Sequence, residues 1–344
     1  MTSCPLPASG YDRVVMGHGG GGRLSADLLR KVFLPGFGND VLNRLEDQAT
    51  LAWGGGRLAF TTDAFVVNPI FFPGGDIGTL AVNGTVNDLA VGGARPLYLS
   101  AAFILEEGLP IADLERIVAS MRDACRAAGV TLVTGDTKVV DAGKGDQVFI
   151  TTAGIGVVPD GVRLSIAAAK PGDRIVLSGT IGDHGMAILS RREGIELESP
   201  LESDTAPLAD LTQAMLRACP GIRLMRDPTR GGLASTLSEL AKASEVGVRV
   251  EEARIPLKPE VRGACELLGL DPVYVANEGK LVAVVPPGDA EALVAAMRAH
   301  PRGRDAALIG EVVADGPGLV RMKSRAGGER VVTPLAGEPL PRIC

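Results

Sequence analysis

Asn83-Gly84-Thr85-Val86-Asn87-Asp88-Leu89-Ala90, followed after one residue by Gly92-Gly93-Ala94-Arg95-Pro96, sets one carboxylate, Asp88, in an apolar stretch and closes it with paired glycines. A single aspartate in such a place is more often a turn former or a helix cap. It gains meaning from company. Asp63 follows Phe60-Thr61-Thr62, and Asp136 follows Val133-Thr134-Gly135. Carboxylates at the ends of apolar runs can converge to hold Mg2+ between protein and phosphate oxygens. Asp227 belongs to a further loop, Arg226-Asp227-Pro228-Thr229-Arg230-Gly231-Gly232, which opens a helix and offers an anion seat at its N-terminus.

A second glycine-rich run lies upstream, Gly17-His18-Gly19-Gly20-Gly21-Gly22-Arg23. Successive glycines let backbone N–H groups approach and cradle phosphate oxygens, with Arg23 adding charge. The Gly-Lys-Ser/Thr ending of a Walker A loop is missing, and taken alone the run is equally a linker. His18, His184 and His300 share no metal-ligand spacing, and no nucleophile elbow is present.

Composition bounds the rest. Of 344 residues 46% are hydrophobic and 22% charged, as in packed globular proteins, and the length suits two domains. Aromatics make up only 3%, so Val, Leu, Ile and Ala must build the core. A net charge of −6 without a basic stripe argues against a nucleic-acid partner. No apolar stretch approaches membrane-spanning length and no signal-like segment opens the chain. The five cysteines, Cys4, Cys125, Cys219, Cys265 and Cys344, show no CxxC and no zinc spacing. An odd, scattered set points to reduced thiols in the cytoplasm.

The last of them ends the chain, after Pro339-Leu340-Pro341-Arg342-Ile343. Proline holds its neighbours extended, so a terminal thiol on this tail can act as an arm that carries a sulfur-bound group to a distant site.

Strands and helices alternate. Strands are expected at 57–62, 97–103, 130–133 and 147–157. A helical stripe of Ile111, Leu114, Ile117, Val118, Met121 and Cys125 is stopped by Gly129. Turns at Pro159-Asp160-Gly161 and Pro171-Gly172-Asp173 mark a boundary. Beyond it come a strand at 174–177, a helix through Leu233, Leu237 and Leu240, a strand at 246–250, a helix opened by Pro259, a strand at 281–285 and a helix at 290–300. The acidic segment 193–208 has no clear period and reads as a mobile loop. The organisation expected is a glycine-rich segment over 1–44, domains over 45–160 and 171–322, and an unpacked tail over 334–344, with an α+β architecture of two helix-covered sheets.

The stretch around Asp88 and Gly92–Pro96 is similar to the signature of the aminoimidazole-ribonucleotide-synthetase-like (PurM-like) ATP-binding superfamily, which also holds selenophosphate synthetase, thiamine-phosphate kinase and formylglycinamidine synthetase. Within it, six stretches resemble the HypE family of hydrogenase maturation proteins: Thr61-Thr62-Asp63, Phe71-Phe72-Pro73-Gly74-Gly75-Asp76-Ile77-Gly78, Thr134-Gly135-Asp136-Thr137-Lys138-Val139, Asp227 to Gly232, Asn277-Glu278-Gly279 and the Pro-Arg-Ile-Cys ending. The likeness runs from Gly17 to Cys344, and the ending is its most specific part. Selenophosphate synthetases place a reactive Cys beside an N-terminal glycine loop, whereas Cys4 here stands apart from Gly17–Gly22.

The resemblance implies a two-domain PurM-like fold, an N-terminal domain whose strands build a shared barrel with a second copy in a homodimer, a C-terminal α/β domain and a flexible tail. It implies ATP in the cleft between the domains, with Gly19, Gly20 and Gly21 closing over the phosphates and Asp88, Asp136 and Asp227 contributing to the site. Mg2+ would lie on Asp63, Asp88 and Asp136, with Asp47 of Glu46-Asp47-Gln48-Ala49 a further ligand. It makes Cys344 the carrier of a carbamoyl group, placed there by the carbamoyltransferase HypF and dehydrated to a thiocyanate at the expense of ATP. The cyano group then passes to iron on a HypC–HypD complex, to become a cyanide ligand of the [NiFe]-hydrogenase centre.

The chemistry asks for such residues. An amide oxygen leaves poorly, so dehydration must first phosphorylate it, and in-line transfer is mostly positioning and charge neutralisation. On the family pattern Lys138 neutralises charge on the transferred oxygen and Glu278 takes the amide proton. Two rivals stand beside this reading. A small-molecule kinase or synthetase of the same superfamily would have no use for Cys344. A non-catalytic scaffold that binds metal or a partner through the terminal thiol would have no use for Lys138 or the aspartates.

Overall fold

The computed structural model describes residues 22–34, 39–195, 201–335, 337 and 342–344. The glycines Gly19, Gly20 and Gly21, and Cys4, lie outside them. A short helix α1 (Arg23–Leu28) precedes the first sheet.

That sheet is built from β1 (Ala49–Trp53), β2 (Gly56–Phe65), β5 (Arg95–Glu106), β6 (Thr131–Val140) and β7 (Val148–Val157), in the order β1-β2-β7-β5-β6. β5 and β6 run parallel and the other pairs antiparallel. A small hairpin of β3 (Phe71–Phe72) and β4 (Gly75–Asp76) leads into helix α2 (Ile77–Val91). The quoted signature stretch is therefore the second half of α2 and its exit. Asp76 caps α2, its Oδ1 accepting from the Thr79 N–H at 2.9 Å. α2 is buried almost all round because the sheet lies on one side and α3 (Ile111–Ala128) on the other. Glycine makes that approach possible. A Cβ at Gly84 would sit 2.8 Å from the Phe65 ring, and one at Gly78 would sit 2.6 Å from the Ile117 carbonyl.

α3 has the boundaries that its stripe suggests, and Gly129 ends it in the left-handed conformation at φ 68°. Ile117, Met121 and Cys125 are buried, but Ile111 and Val118 at the margin of the stripe face solvent.

The opposite face of this sheet carries no helix. Phe60, Tyr98, Ile104 and Ile155 on that face are all exposed, and β6 is an edge strand exposed on both of its faces. The expected barrel is not closed within one chain, because five strands leave two edges.

The second sheet has seven strands in the order β14-β13-β10-β12-β8-β11-β9. They are β8 (Arg174–Leu177), β9 (Leu224–Arg226), β10 (Gly247–Glu251), β11 (Val282–Val285), β12 (Ala307–Val313), β13 (Val320–Lys323) and β14 (Glu329–Val332). Only β10 and β13 run parallel. Both faces are covered, so the central strands are continuous apolar runs. Ile175, Leu177, Val282 and Val284 point toward α6 (Gly232–Ala243). Val176, Ala283 and Val285 point the other way, toward α5 (Ala209–Ala218) and α8 (Ala290–Arg298). The remaining helices, α4 (Asp183–Glu193) and α7 (Pro259–Leu268), pack into the core of the first sheet through Met186, Ile188, Val261 and Cys265. That shared core packs helices from the second half of the chain against the first sheet.

Two expectations change here. Of the segment expected to be a mobile loop, 201–208 is packed: Leu201, Ala206 and Leu208 are buried, and Asn87 takes hold of it from α2. The end of the tail is not unpacked either. Ile343 bridges Val67, and the flanking Val66 and Asn68 amides donate to the Cys344 and Arg342 carbonyls, each at 3.1 Å. Ile343 is 2% exposed. One buried apolar side chain and an extended backbone suffice to add a strand to an edge, and proline punctuation does not reveal this. Among the described residues no helix is long and apolar enough to cross a membrane.

Candidate functional site

The exit of α2, the end of β2, the loop after β9 and the segment before β11 converge on a group of carboxyls, Glu278 buried and Asp47, Asp63, Asp88 and Asp227 half-buried. Asp63 lies on β2 facing α2, and the Thr85 hydroxyl donates to its Oδ2 at 2.9 Å. Asp88 accepts from the Thr61 hydroxyl at 2.8 Å. Burial raises both carboxyls, Asp88 well above the usual range because Asp63, Asp227 and Asp47 add repulsion. Asp227 is pushed up to about 6, by burial first and then by Asp63 and Glu239, against the pull of Arg226.

Arg226 is the main counter-charge. Its guanidinium meets Asp47 at 2.6 Å and Glu239 at 3.1 Å. Burial works against its charge, but these carboxylates keep it fully protonated. Burial likewise raises Asp47, while Arg226 opposes the shift. Arg230 pulls Asp63 and Glu278 down.

Glu278 is 4% exposed, and its Oε1 has no hydrogen-bond partner. Burial, then Asp227, Asp204 and Asp63, raise it well above the carboxylate range. Each residue of Asn277-Glu278-Gly279 has its own task. Asn277 staples three segments, accepting from the Gly182 N–H at 2.7 Å and donating to the Pro228 and Val275 carbonyls at 2.8 and 3.1 Å. The Glu278 amide donates to Asp204 Oδ1 at 3.0 Å, and its carbonyl accepts from Asn87 Nδ2 at 3.0 Å. Gly279 must be glycine, since a Cβ would collide with the Asp204 carbonyl. Asp204 is tied at 2.9 Å to Lys280. Burial raises Asp204, but Lys280 and the Glu278 amide outweigh it and hold the carboxyl below the usual range.

Asp47, Asp63, Asp88, Asp227 and Glu278 are thus brought together. Asp136 and Lys138 are not. Asp136 is in register with Ala102 of β5, Thr151 of β7 and Ala64 of β2, three strand spacings or about 14 Å from the end of β2. Both side chains lie on the open face, Lys138 Nζ pairing with Asp136 Oδ2 at 2.9 Å, and they are 72% and 68% exposed. Asp204, Lys280, Asn87 and the two threonines were not among the expected site residues. Asp204 sits in a segment without period, and the threonines look like ordinary strand and helix residues.

Among the described residues no three carboxylate, His or Cys groups stand in ready metal-ligand geometry. The donor chemistry still fits Mg2+ carried by a nucleotide phosphate. Carboxyls held up by burial and then by mutual repulsion, and an unpartnered Glu278 oxygen, mark a place short of positive charge, and all the donors are hard oxygens.

The chain matches the family models of the AIR synthase related protein, the N-terminal domain over residues 45–158 and the C-terminal domain over 170–323. It is 59% identical over 333 residues to the carbamoyl dehydratase HypE of Cupriavidus necator, covering 96% of this chain and 95% of that one. The crystal structure of a HypE–HypF complex superposes with a TM-score of 0.85 at 47% identity, covering 90% of this chain and 99% of the other. That of HypE in complex with ATP superposes with a TM-score of 0.82 at 48% identity, covering 96% and 100%.

Proposed function

The chain belongs to the HypE family of carbamoyl dehydratases, and from that premise we propose that it dehydrates, at the expense of ATP, a carbamoyl group carried on its own Cys344 to a thiocyanate. The observation that carries this reading is the seat of the tail. The Cys344 carbonyl accepts from the Val66 N–H, three residues beyond Asp63 on the same extended segment, so the terminal residue ends within about 10 Å of the carboxyl cluster along the chain. Neither a kinase for a diffusible substrate nor a scaffold has a reason to seat a C-terminal thiol there.

ATP with Mg2+, when bound, supplies the phosphoryl group that turns the amide oxygen into a leaving group. Asp63, Asp88 and Asp227, with Asp47 behind Arg226, would hold the cation, and Gly19–Gly21 would close over the phosphates. Glu278 is the proton acceptor for the amide nitrogen. Its Oε1 is unpaired, and positive charge arriving at the cluster lowers the affinity of that oxygen for its proton, which readies it as a base. Asn87 and Asp204 fix the Glu278 backbone from two sides, so the carboxyl is aimed without spending its own hydrogen bonds.

A homodimer completes the reading. The open sheet face is apolar and β6 is an uncovered edge, surfaces that a soluble protein covers with a partner. A second copy there would turn the open sheet into a shared barrel and take Asp136 and Lys138 out of solvent, so that Lys138 neutralises phosphoryl charge only in the dimer. HypF is the carbamoyl donor and a HypC–HypD complex the cyanide acceptor, in the cytoplasm.

The test is mass spectrometry of the C-terminal peptide. Incubation with HypF, carbamoyl phosphate and ATP is expected to add a carbamoyl group to Cys344, and fresh Mg-ATP is expected to remove one water from it. ATP turnover on a small molecule with Cys344 unmodified would favour the kinase instead.

A further inference from the structure

We propose that His184 is a positioning residue for the dehydration: its ring grips the backbone next to the terminal cysteine and holds the tail seated while the carbamoyl group reacts. This rests on the reading of Cys344 as the substrate carrier. His184 lies in the first turn of α4 and is completely buried. Its Nε2 is 2.7 Å from the Ile343 carbonyl oxygen and its Nδ1 is 2.7 Å from the Ser203 hydroxyl.

A carbonyl can only accept, so Nε2 carries the proton and Nδ1 accepts from Ser203. Ser203 is itself fixed. Its amide donates to the Pro73 carbonyl at 2.8 Å, and its Oγ accepts from the Thr205 N–H at 3.1 Å. Phe72 packs edge-on against the imidazole at 5.6 Å. The ring has one tautomer and one orientation, and both point at the tail.

The same loop reaches the proposed base. Ser203 orients His184, and the next residue, Asp204, accepts from the Glu278 amide and pairs with Lys280. The seat of the tail and the aim of Glu278 are therefore set by two adjacent residues. Arg192 and Asp146 also engage the tail, through the Arg342 carbonyl and side chain at 2.7 Å each. They touch the residue before Ile343 from partly exposed positions. His184 is the buried contact, next to Cys344.

Three variants test the proposal: His184→Leu, which fills the space without a donor, His184→Gln, which keeps an N–H near Nε2, and Ser203→Ala, which removes only the group that fixes the tautomer. Each is checked for folding by its melting profile and for ATP affinity. Cys344 alkylation is read on the C-terminal peptide, and single-turnover water loss on protein already carbamoylated at Cys344. Loss of one buried hydrogen bond is expected to speed alkylation and slow water loss by about fivefold or more in His184→Leu. Ser203→Ala should show a smaller change and His184→Gln should recover part of it. Carbamoylation by HypF, which needs the tail unseated, should not slow. Wild-type alkylation and water-loss rates in all folded variants would overturn the role of His184. Alkylation that responds while no protein, wild type included, loses water would instead overturn the substrate reading, and the positioning role with it.

Discussion

The backbone N–H of Glu278 donates to Asp204 Oδ1 at 3.0 Å, and Gly279 next to it leaves room for the Asp204 carbonyl and nothing larger. A loop from the second half of the chain thereby fixes a buried carboxyl whose Oε1 has no partner. The arrangement spends stability on holding an unsatisfied acid in place, as functional sites do.

Glu278→Gln removes the proton acceptor and keeps the shape. Single-turnover water loss from carbamoylated Cys344 is expected to fall by about a hundredfold or more. ATP binding should persist, and the melting temperature should hold or rise, because a carboxyl pushed up by burial and by Asp227 is replaced with a neutral amide. Mass spectrometry and a melting curve on the same sample check both halves.

Asp204→Asn tests the support beneath it. The folded carboxyl sits below its ordinary value, since Lys280 and the Glu278 amide outweigh the cost of burial. A depressed carboxylate contributes stability that is present above its unfolded value near pH 4 and is lost as pH falls through the folded one. The variant should lose about 3 kcal/mol at pH 7, where the buried pair with Lys280 is broken. It should also show a flatter decline below about pH 4. Urea titrations at pH 7 and along the acid limb provide the comparison.

Asp88→Asn should separate stability from function. Without a cation, Asp88 is raised by burial and by Asp63, Asp227 and Asp47. Relieving that repulsion should stabilise the ligand-free protein by about 0.5–2 kcal/mol while weakening Mg-ATP binding. Thermal shifts with and without Mg-ATP are the measurement. A variant with less stability and unaltered nucleotide affinity would remove Asp88 from the proposed site.

The edge strand β6 carries its own consequence. Val133 is 58% exposed on the edge strand β6. A charge introduced by Val133→Asp is expected to shift a dimer toward monomer in sedimentation and to abolish water loss, with little change in melting of the monomer. A monomer that still dehydrates at full rate would place Lys138 outside the reaction.

Much of this was legible in the chain, for local reasons. α3 follows from its apolar stripe and the stop at Gly129, which takes the left-handed conformation there. Asp63, Asp88 and Asp227 were picked out by motif, and the fold gathers them. What the sequence hid depends on long-range packing. α2 has no amphipathic period because it is buried on nearly all sides. Asp204 lies in a segment without pattern, and only its contact with Glu278 gives it meaning. His184 carries no ligand spacing, since its partners are a backbone carbonyl and a serine 19 residues away. Asp136 and Lys138 were legible as a motif, but their distance from the cluster follows from strand order, which local sequence does not encode.

The most direct measurement is the mass of the C-terminal peptide before and after Mg-ATP is added to protein carbamoylated on Cys344. Loss of one water, abolished in Glu278→Gln, is the result expected. A carbamoyl group that stays intact while the wild-type protein turns over ATP would contradict the dehydratase reading at its centre.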